Sequence, residues 1–170
     1  MALDTTVGGT AADSYATLAE YQARAAAFGW TLSGADATDE VNLRLARQYL
    51  DGAYVWKGYR AEEDQALEWP REIVEYVEGY IVLETVIPQK IKDAQMEMAF
   101  LIQNGATPFA TREQGPITRE RKKVDVLEVD RTYGGQGRVA PGYPLVDGLV
   151  APYTVSKRGA ANASVPLARA

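Results

Sequence analysis

Histidine and cysteine are both missing from the 170 residues, which narrows the side-chain chemistry open to this chain. Without an imidazole there is no histidine general base and no histidine-based triad. Without a thiol there is no disulfide, thiolate nucleophile or zinc ribbon. What remains is carboxylate, lysine and tyrosine chemistry, with hard-cation sites built from oxygen ligands. The carboxylates gather at Glu62, Glu63, Asp64 and Glu68, and again at Glu72, Glu75, Glu78 and Glu84. A cation site or an acid–base pair would need them ordered around a turn, and neither EF-hand spacing nor a glycine turn orders them. A solvated acidic face is the better account. No catalytic, metal-binding or cofactor-binding residue is expected, no cofactor is called for, and a carboxylate hydrolase ranks last among the function classes.

The cations are more informative. Arg119-Glu120-Arg121-Lys122-Lys123 is the one dense basic run. It reads as the charged turn between strands at Ile117-Thr118 and at residues 124–129. A solvated hairpin tip needs no function, but the same residues could meet DNA phosphates or an acidic partner. Arg119, Arg121, Lys122 and Lys123 are therefore candidate interface residues. From Tyr153 onward there is no acidic residue, and Lys157, Arg158 and Arg169 sit among small side chains. Such a tail is expected to be unfolded by itself and to suit contact with a partner through Tyr153, Lys157, Arg158 and Arg169. Tyr133-Gly134-Gly135-Gln136-Gly137 lacks the spacing and the lysine of a phosphate cradle and reads as a joint.

The net charge is −5 and the pI near 4.9, so nucleic acid could be held only by a local basic patch and not by the overall field. The ten tyrosines are scattered and do not interleave with the basic run, unlike a single-strand stacking platform. No apolar run reaches the ~20 residues of a membrane span. The start Met1-Ala2-Leu3-Asp4 does not resemble a signal peptide, so a cytoplasm-like setting without membrane contact is expected.

The elements that must carry these residues are mainly helical. Thr17-Leu18-Ala19-Glu20 is a capping box opening a helix with Leu18, Tyr21, Ala25 and Phe28 on one side, stopped at Gly29. Thr38 reads as the N-cap of a second helix, with Arg44, Arg47, Gln48 and Asp51 on one face. Val41, Leu43, Leu45, Ala46, Tyr49, Leu50, Ala53 and Trp56 form a wide apolar arc opposite, with Gly58 as its stop. Trp56, Trp69, Pro70 and Arg71 are core and corner residues, with Arg71 able to pair with a nearby carboxylate. Residues 72–85 are ambiguous between helix and a short hairpin, and Gly79 with Ile81-Val82 favours the hairpin. A third helix follows Pro88, with Ile91, Ala94, Met98 and Leu101 at helical spacing, ending at Asn104-Gly105. Met96 and Met98 read as core filler. A short helix at 145–150 ends at Pro152. The expected organisation is an N-terminal arm (1–14), a helical core (15–110), a β-hairpin (111–133), a loop with a short helix (134–152) and a C-terminal tail (153–170). The fold class is mainly α, a small helical bundle with a β-hairpin and extended N- and C-terminal arms.

Four motifs in order resemble a known family: Ser14-Tyr15-Ala16-Thr17-Leu18-Ala19-Glu20, Trp56-Lys57-Gly58, Gln65-Ala66-Leu67-Glu68-Trp69-Pro70-Arg71 and Ile87-Pro88-Gln89-Lys90-Ile91-Lys92-Asp93-Ala94. Gly115-Pro116-Ile117, Tyr143-Pro144-Leu145-Val146-Asp147 and Ala151-Pro152-Tyr153 continue the match across residues 14–153. The pattern is similar to that of the head–tail connector (adaptor) family of tailed bacteriophages, whose members are often labelled DnaT-like single-stranded-DNA-binding proteins. The resemblance implies a structural virion protein of the neck, assembled in the host cytoplasm. Its copies would form a homo-oligomer, a dodecameric ring that lines the DNA channel between the portal protein and the tail, stopper or tail-terminator protein. The tail after Tyr153 would then dock on the portal, and Arg119, Arg121, Lys122 and Lys123 stay candidates either for non-specific contact with DNA in the channel or for a protein interface. The alternative is a single-stranded-DNA-binding protein of primosome type.

Overall fold

The computed structural model describes residues 2–73, 76–109, 117–123, 128–133 and 142–157. The chain divides into two units. The first comprises Met1–Phe109 with Gly142–Arg158, the second Ala110–Pro141 with Gly159–Ala170.

The first unit is built on helices α1 (Leu18–Phe28), α2 (Asp36–Ala53), α3 (Gln89–Gln103) and α4 (Pro144–Val150). The capping box at the start of α1 is present in full: the Thr17 hydroxyl accepts from the Glu20 amide, and the Glu20 carboxylate accepts from the Thr17 amide. Gly29 ends the helix in the left-handed region. The partly buried Arg24 ties α1 to α3 through Asp93 at 3.0 Å, and Lys92 reaches Glu20 at 2.8 Å. The Arg24 guanidinium also lies 4.6 Å over the Phe28 ring, and Trp30 stacks on Phe100 at 4.4 Å. α2 packs on α3, and α3 on α4. Their shared core is formed by Leu43, Ala46 and Leu50 from α2, Ile91, Ala94 and Met98 from α3, and Val146 and Val150 from α4. Met96 and Met98 are both buried, as core filler should be.

Three boundaries differ from the sequence reading. α2 starts at Asp36, two residues before Thr38. Its first turn is closed from outside, where the Ser33 hydroxyl accepts from the Ala35 amide and donates to the buried Asp39 carboxylate at 2.7 Å. α2 ends at Ala53 and does not reach Trp56. Tyr54–Trp56 instead forms strand β1, because it finds a partner strand a hundred residues away, β6 (Thr154–Lys157), joined antiparallel to it. Finally, residues 2–14 do not extend as a free arm. Asp13 and Ser14 donate their amides to the Asp4 carbonyl, Arg44 pairs with Asp13 at 2.6 Å, and Ala12, Ser14 and Tyr15 are buried.

Residues 57–73 and 76–86 are irregular chain with short pairings. β2 (Tyr59–Arg60) runs antiparallel to β3 (Arg71–Glu72). The expected hairpin at 72–85 reduces, among the described residues, to one bridge between Val77 and Tyr80, turned by Glu78 and Gly79, both with positive φ. The 3-10 turn Ala151–Tyr153 leads from α4 into β6.

The second unit contains the antiparallel pair β4 (Ile117–Lys123) and β5 (Glu128–Tyr133). The basic run therefore lies within a strand and not in the turn. The connection at 124–127, part of the expected second strand, lies outside the described residues.

Candidate functional site

The register of β4 on β5 changes what the basic run can do. Glu120 stands opposite Arg131, Arg121 opposite Asp130, and Lys123 opposite Glu128. Facing positions of opposite charge favour this register by a few tenths of a kcal/mol per pair, up to about 1. They also match much of the positive charge within the hairpin. Of the candidates, Arg119 and Lys122 occupy positions facing uncharged residues, Thr132 and Val129.

The two units still differ sharply in sign. Met1–Phe109 with Gly142–Arg158 carries ten basic and eighteen acidic residues, a net −8. Ala110–Pro141 with Gly159–Ala170 carries eight basic and five acidic, a net +3. Whole-chain charge hides this partition, which leaves the hairpin unit as the place where a polyanion would be tolerated. The acidic triplet Glu62, Glu63 and Asp64 lies exposed in the first unit. Among the described residues, no three Asp or Glu side chains converge as metal ligands would. No helix among them is long and apolar enough to cross a membrane.

The C-terminal candidates separate. Tyr153 is buried, its ring edge-on to Trp69 at 5.6 Å and its carbonyl accepting from the Lys57 amide. Lys157 is the last residue of β6, opposite Tyr54. The expectation of a tail unfolded from Tyr153 is thus corrected for residues 153–157. Their anchor is a run of aromatic rings that the spacing did not disclose: Tyr143, Tyr49, Tyr54, Trp56, Trp69 and Tyr153, each within 5.5–6.1 Å of the next. Arg158 and Arg169 lie outside the described residues.

The corner residues are a framework. Trp56 and Trp69 are buried in that aromatic run. Arg71, also buried, donates to the carbonyls of Lys57 (2.9 Å), Gly58 (2.7 Å) and Glu68 (3.2 Å), and to the Glu68 carboxylate at 2.7 Å. One guanidinium therefore ties β3 to the chain before β2. Its pairing with a nearby carboxylate matches the sequence expectation.

The Tyr15 hydroxyl donates to the Asp51 carboxylate. Burial pushes that carboxyl up to about 6, with Glu68 adding to the rise and the Tyr15 bond and Arg47 opposing it. Because the folded value lies above the unfolded one near 3.9, the folded state holds this proton more tightly. Stability from this group is fully present below about pH 4 and is lost as pH rises through 6. Between pH 7 and pH 5 the gain is about 1 kcal/mol. Glu97, also raised by burial, adds in the same direction. Comparing thermal unfolding of wild type and Asp51→Asn across pH 4–7 isolates the Asp51 share. Equal pH slopes for the two proteins would show that Asp51 titrates normally.

The chain matches a family model described as "Putative DnaT-like ssDNA binding protein" over residues 1–170. No curated protein and no solved structure matches it.

Proposed function

The chain belongs to the DnaT-like single-stranded-DNA-binding family, and from that premise we propose that it binds single-stranded DNA without catalysis, through its hairpin unit. The observation that carries this reading is the charge partition, +3 on the hairpin unit against −8 on the helical unit. Acids facing Arg121, Lys123 and Arg131 leave Arg119 and Lys122 as the hairpin cations best placed to neutralise phosphates. Binding is therefore modest and sequence-independent.

About three neutralised phosphates correspond to a slope of roughly −2 in log K against log salt. Raising salt from 50 to 200 mM then weakens binding roughly fifteen-fold. Fluorescence anisotropy of a labelled oligo-dT measures this directly. Arg119→Glu combined with Lys122→Glu is expected to abolish the signal, while the oligonucleotide remains intact with wild type and magnesium. Absence of binding at 50 mM salt, or unchanged binding by the double variant, overturns the reading.

A second reading is the head–tail adaptor, a ring in the virion neck contacting portal and tail proteins. It draws support from the exposed Tyr76, Tyr80, Ile81 and Leu83, side chains that suit a protein interface better than a solvated loop. It ranks second because the family description names DNA and no assembly partner. Negative-stain imaging with a portal separates the two: ring-shaped complexes favour the adaptor, and unchanged single particles remove it.

A further inference from the structure

The ribbon of β4 and β5 has two unlike faces. Successive residues of a strand alternate between faces, and facing residues of an antiparallel pair share one. The register therefore places Ile117, Glu120, Lys122, Val129, Arg131 and Tyr133 on one face. Arg119, Arg121, Lys123, Glu128, Asp130 and Thr132 occupy the other. The second face holds only charged residues and a threonine, and Arg121 and Lys123 there stand opposite acids. The first face holds an aromatic residue and two branched aliphatic ones together with Lys122 and Arg131.

That mixture suits neither bland role of a strand face. A face turned to a core carries apolar residues without unmatched charge, and a solvated face carries polar ones. An aromatic position beside cations is what a single strand of nucleic acid requires, with a ring for a base and charges for phosphates. Tyr133 and Lys122 are separated in sequence, and only the pairing of β4 with β5 puts them on one face.

We propose that Tyr133 is the base-stacking residue of the DNA site. Bases lie on the face shared by Tyr133, Arg131 and Lys122, and the phosphates follow the outer edge of β4. Among the described residues β4 pairs with β5 alone. Its other edge runs between Lys122 on one face and Arg119 on the opposite one, so a phosphate chain laid there passes between both cations. Arg131 shares the face of Tyr133 at about 7 Å along the strand, beside the stacked nucleotide. The stacking role rests on the DNA reading above and adds to it a requirement for bases, which neutralised phosphates alone do not impose.

Fluorescence anisotropy at 50 mM salt tests this on the full chain, with labelled oligo-dT and an abasic deoxyribose-phosphate strand of the same length. Wild type is expected to bind oligo-dT at least about fivefold more tightly than the abasic strand, the low end for one stacked base. Tyr133→Phe keeps a ring and should stay within about twofold of wild type. Tyr133→Leu keeps apolar bulk in the strand without a ring. It should lose at least about fivefold for oligo-dT and bind the two strands equally. Its salt slope should match wild type, because no phosphate contact is removed. Thr132→Leu, on the opposite face, should change neither affinity. A wild type that fails to bind oligo-dT at all overturns the DNA reading itself. A wild type that binds both strands equally overturns the stacking role and leaves DNA binding standing, and this comparison needs no variant to fold. A Leu variant as tight as wild type on oligo-dT, or a Phe variant as weak as the Leu variant, also overturns it.

Discussion

Replacing Gly58 by alanine is expected to cost the fold on the order of 3–5 kcal/mol, far more than a glycine-to-alanine change usually does. Two penalties combine there. Gly58 sits at φ +70°, where a Cβ costs about 1–2 kcal/mol. That Cβ would also overlap the Glu72 carbonyl oxygen, with the Ile73 Cα only 3.2 Å away. Neither obstacle is the end of a flexible side chain. Relief means moving β3 away from β2 and pulling Arg71 off the Lys57 and Gly58 carbonyls it holds. Gly79 provides the internal control: its φ is +86° but nothing lies within 4 Å of a Cβ there, so Gly79→Ala should cost only about 1 kcal/mol. Urea unfolding of both variants decides the matter. Equal losses would mean that the close approach at Gly58 relaxes freely.

What the sequence disclosed and what it hid follow one physical division. Local signals were legible: the Thr17–Glu20 capping box, the Gly29 stop, and the apolar spacing that starts after Pro88 and ends at Asn104-Gly105 all correspond to elements of the structure. Pairings between distant segments were not. Tyr54–Trp56 carries no alternation that separates it from the end of a helix, and it becomes a strand only because Thr154–Lys157 lies beside it. Arg119 through Lys123 reads as a turn because charge runs are usually solvated. The acids at Glu128 and Asp130 and the cation at Arg131 supply facing partners that let it be a strand. The candidate site suffered from the same blindness. Net charge summed over 170 residues argued against DNA, while the sign that matters belongs to one unit. Ile81-Val82 was visible as a hairpin signal within 72–85, but the exposure of the apolar residues there was not, since exposure depends on what else packs there.

The largest effect that sequence spacing could not foretell concerns a polar residue inside a helix. Gln95 is fully buried on α3, among residues read as apolar spacing. Its Oε1 accepts from the amides of Tyr15 and Ala16, both at 2.9 Å, and its Nε2 donates to the Ser14 hydroxyl at 2.7 Å and the Leu43 carbonyl at 2.9 Å. All four hydrogen-bonding positions of the amide are thus used. One side chain fastens the N-terminal segment to α2 and α3 at once, which is why residues 2–14 fold back. Gln95→Leu keeps the volume near its original value but strands the two buried amides of Tyr15 and Ala16, while the Leu43 carbonyl keeps its place inside helix α2. At about 1–3 kcal/mol for each stranded group, partly relieved by relaxation, a loss of roughly 3–5 kcal/mol is expected. For a chain of this size that lowers Tm by about 10 °C. Ser14→Ala removes a single partner and should cost about 1 kcal/mol. Hydrogen exchange adds a spatial readout, because the Tyr15 and Ala16 amides should lose protection before the α3 amides do. A Gln95→Leu protein within 1 kcal/mol of wild type, with those two amides still protected, would show that the N-terminal segment is held by Arg44–Asp13 and apolar packing, and not by the glutamine.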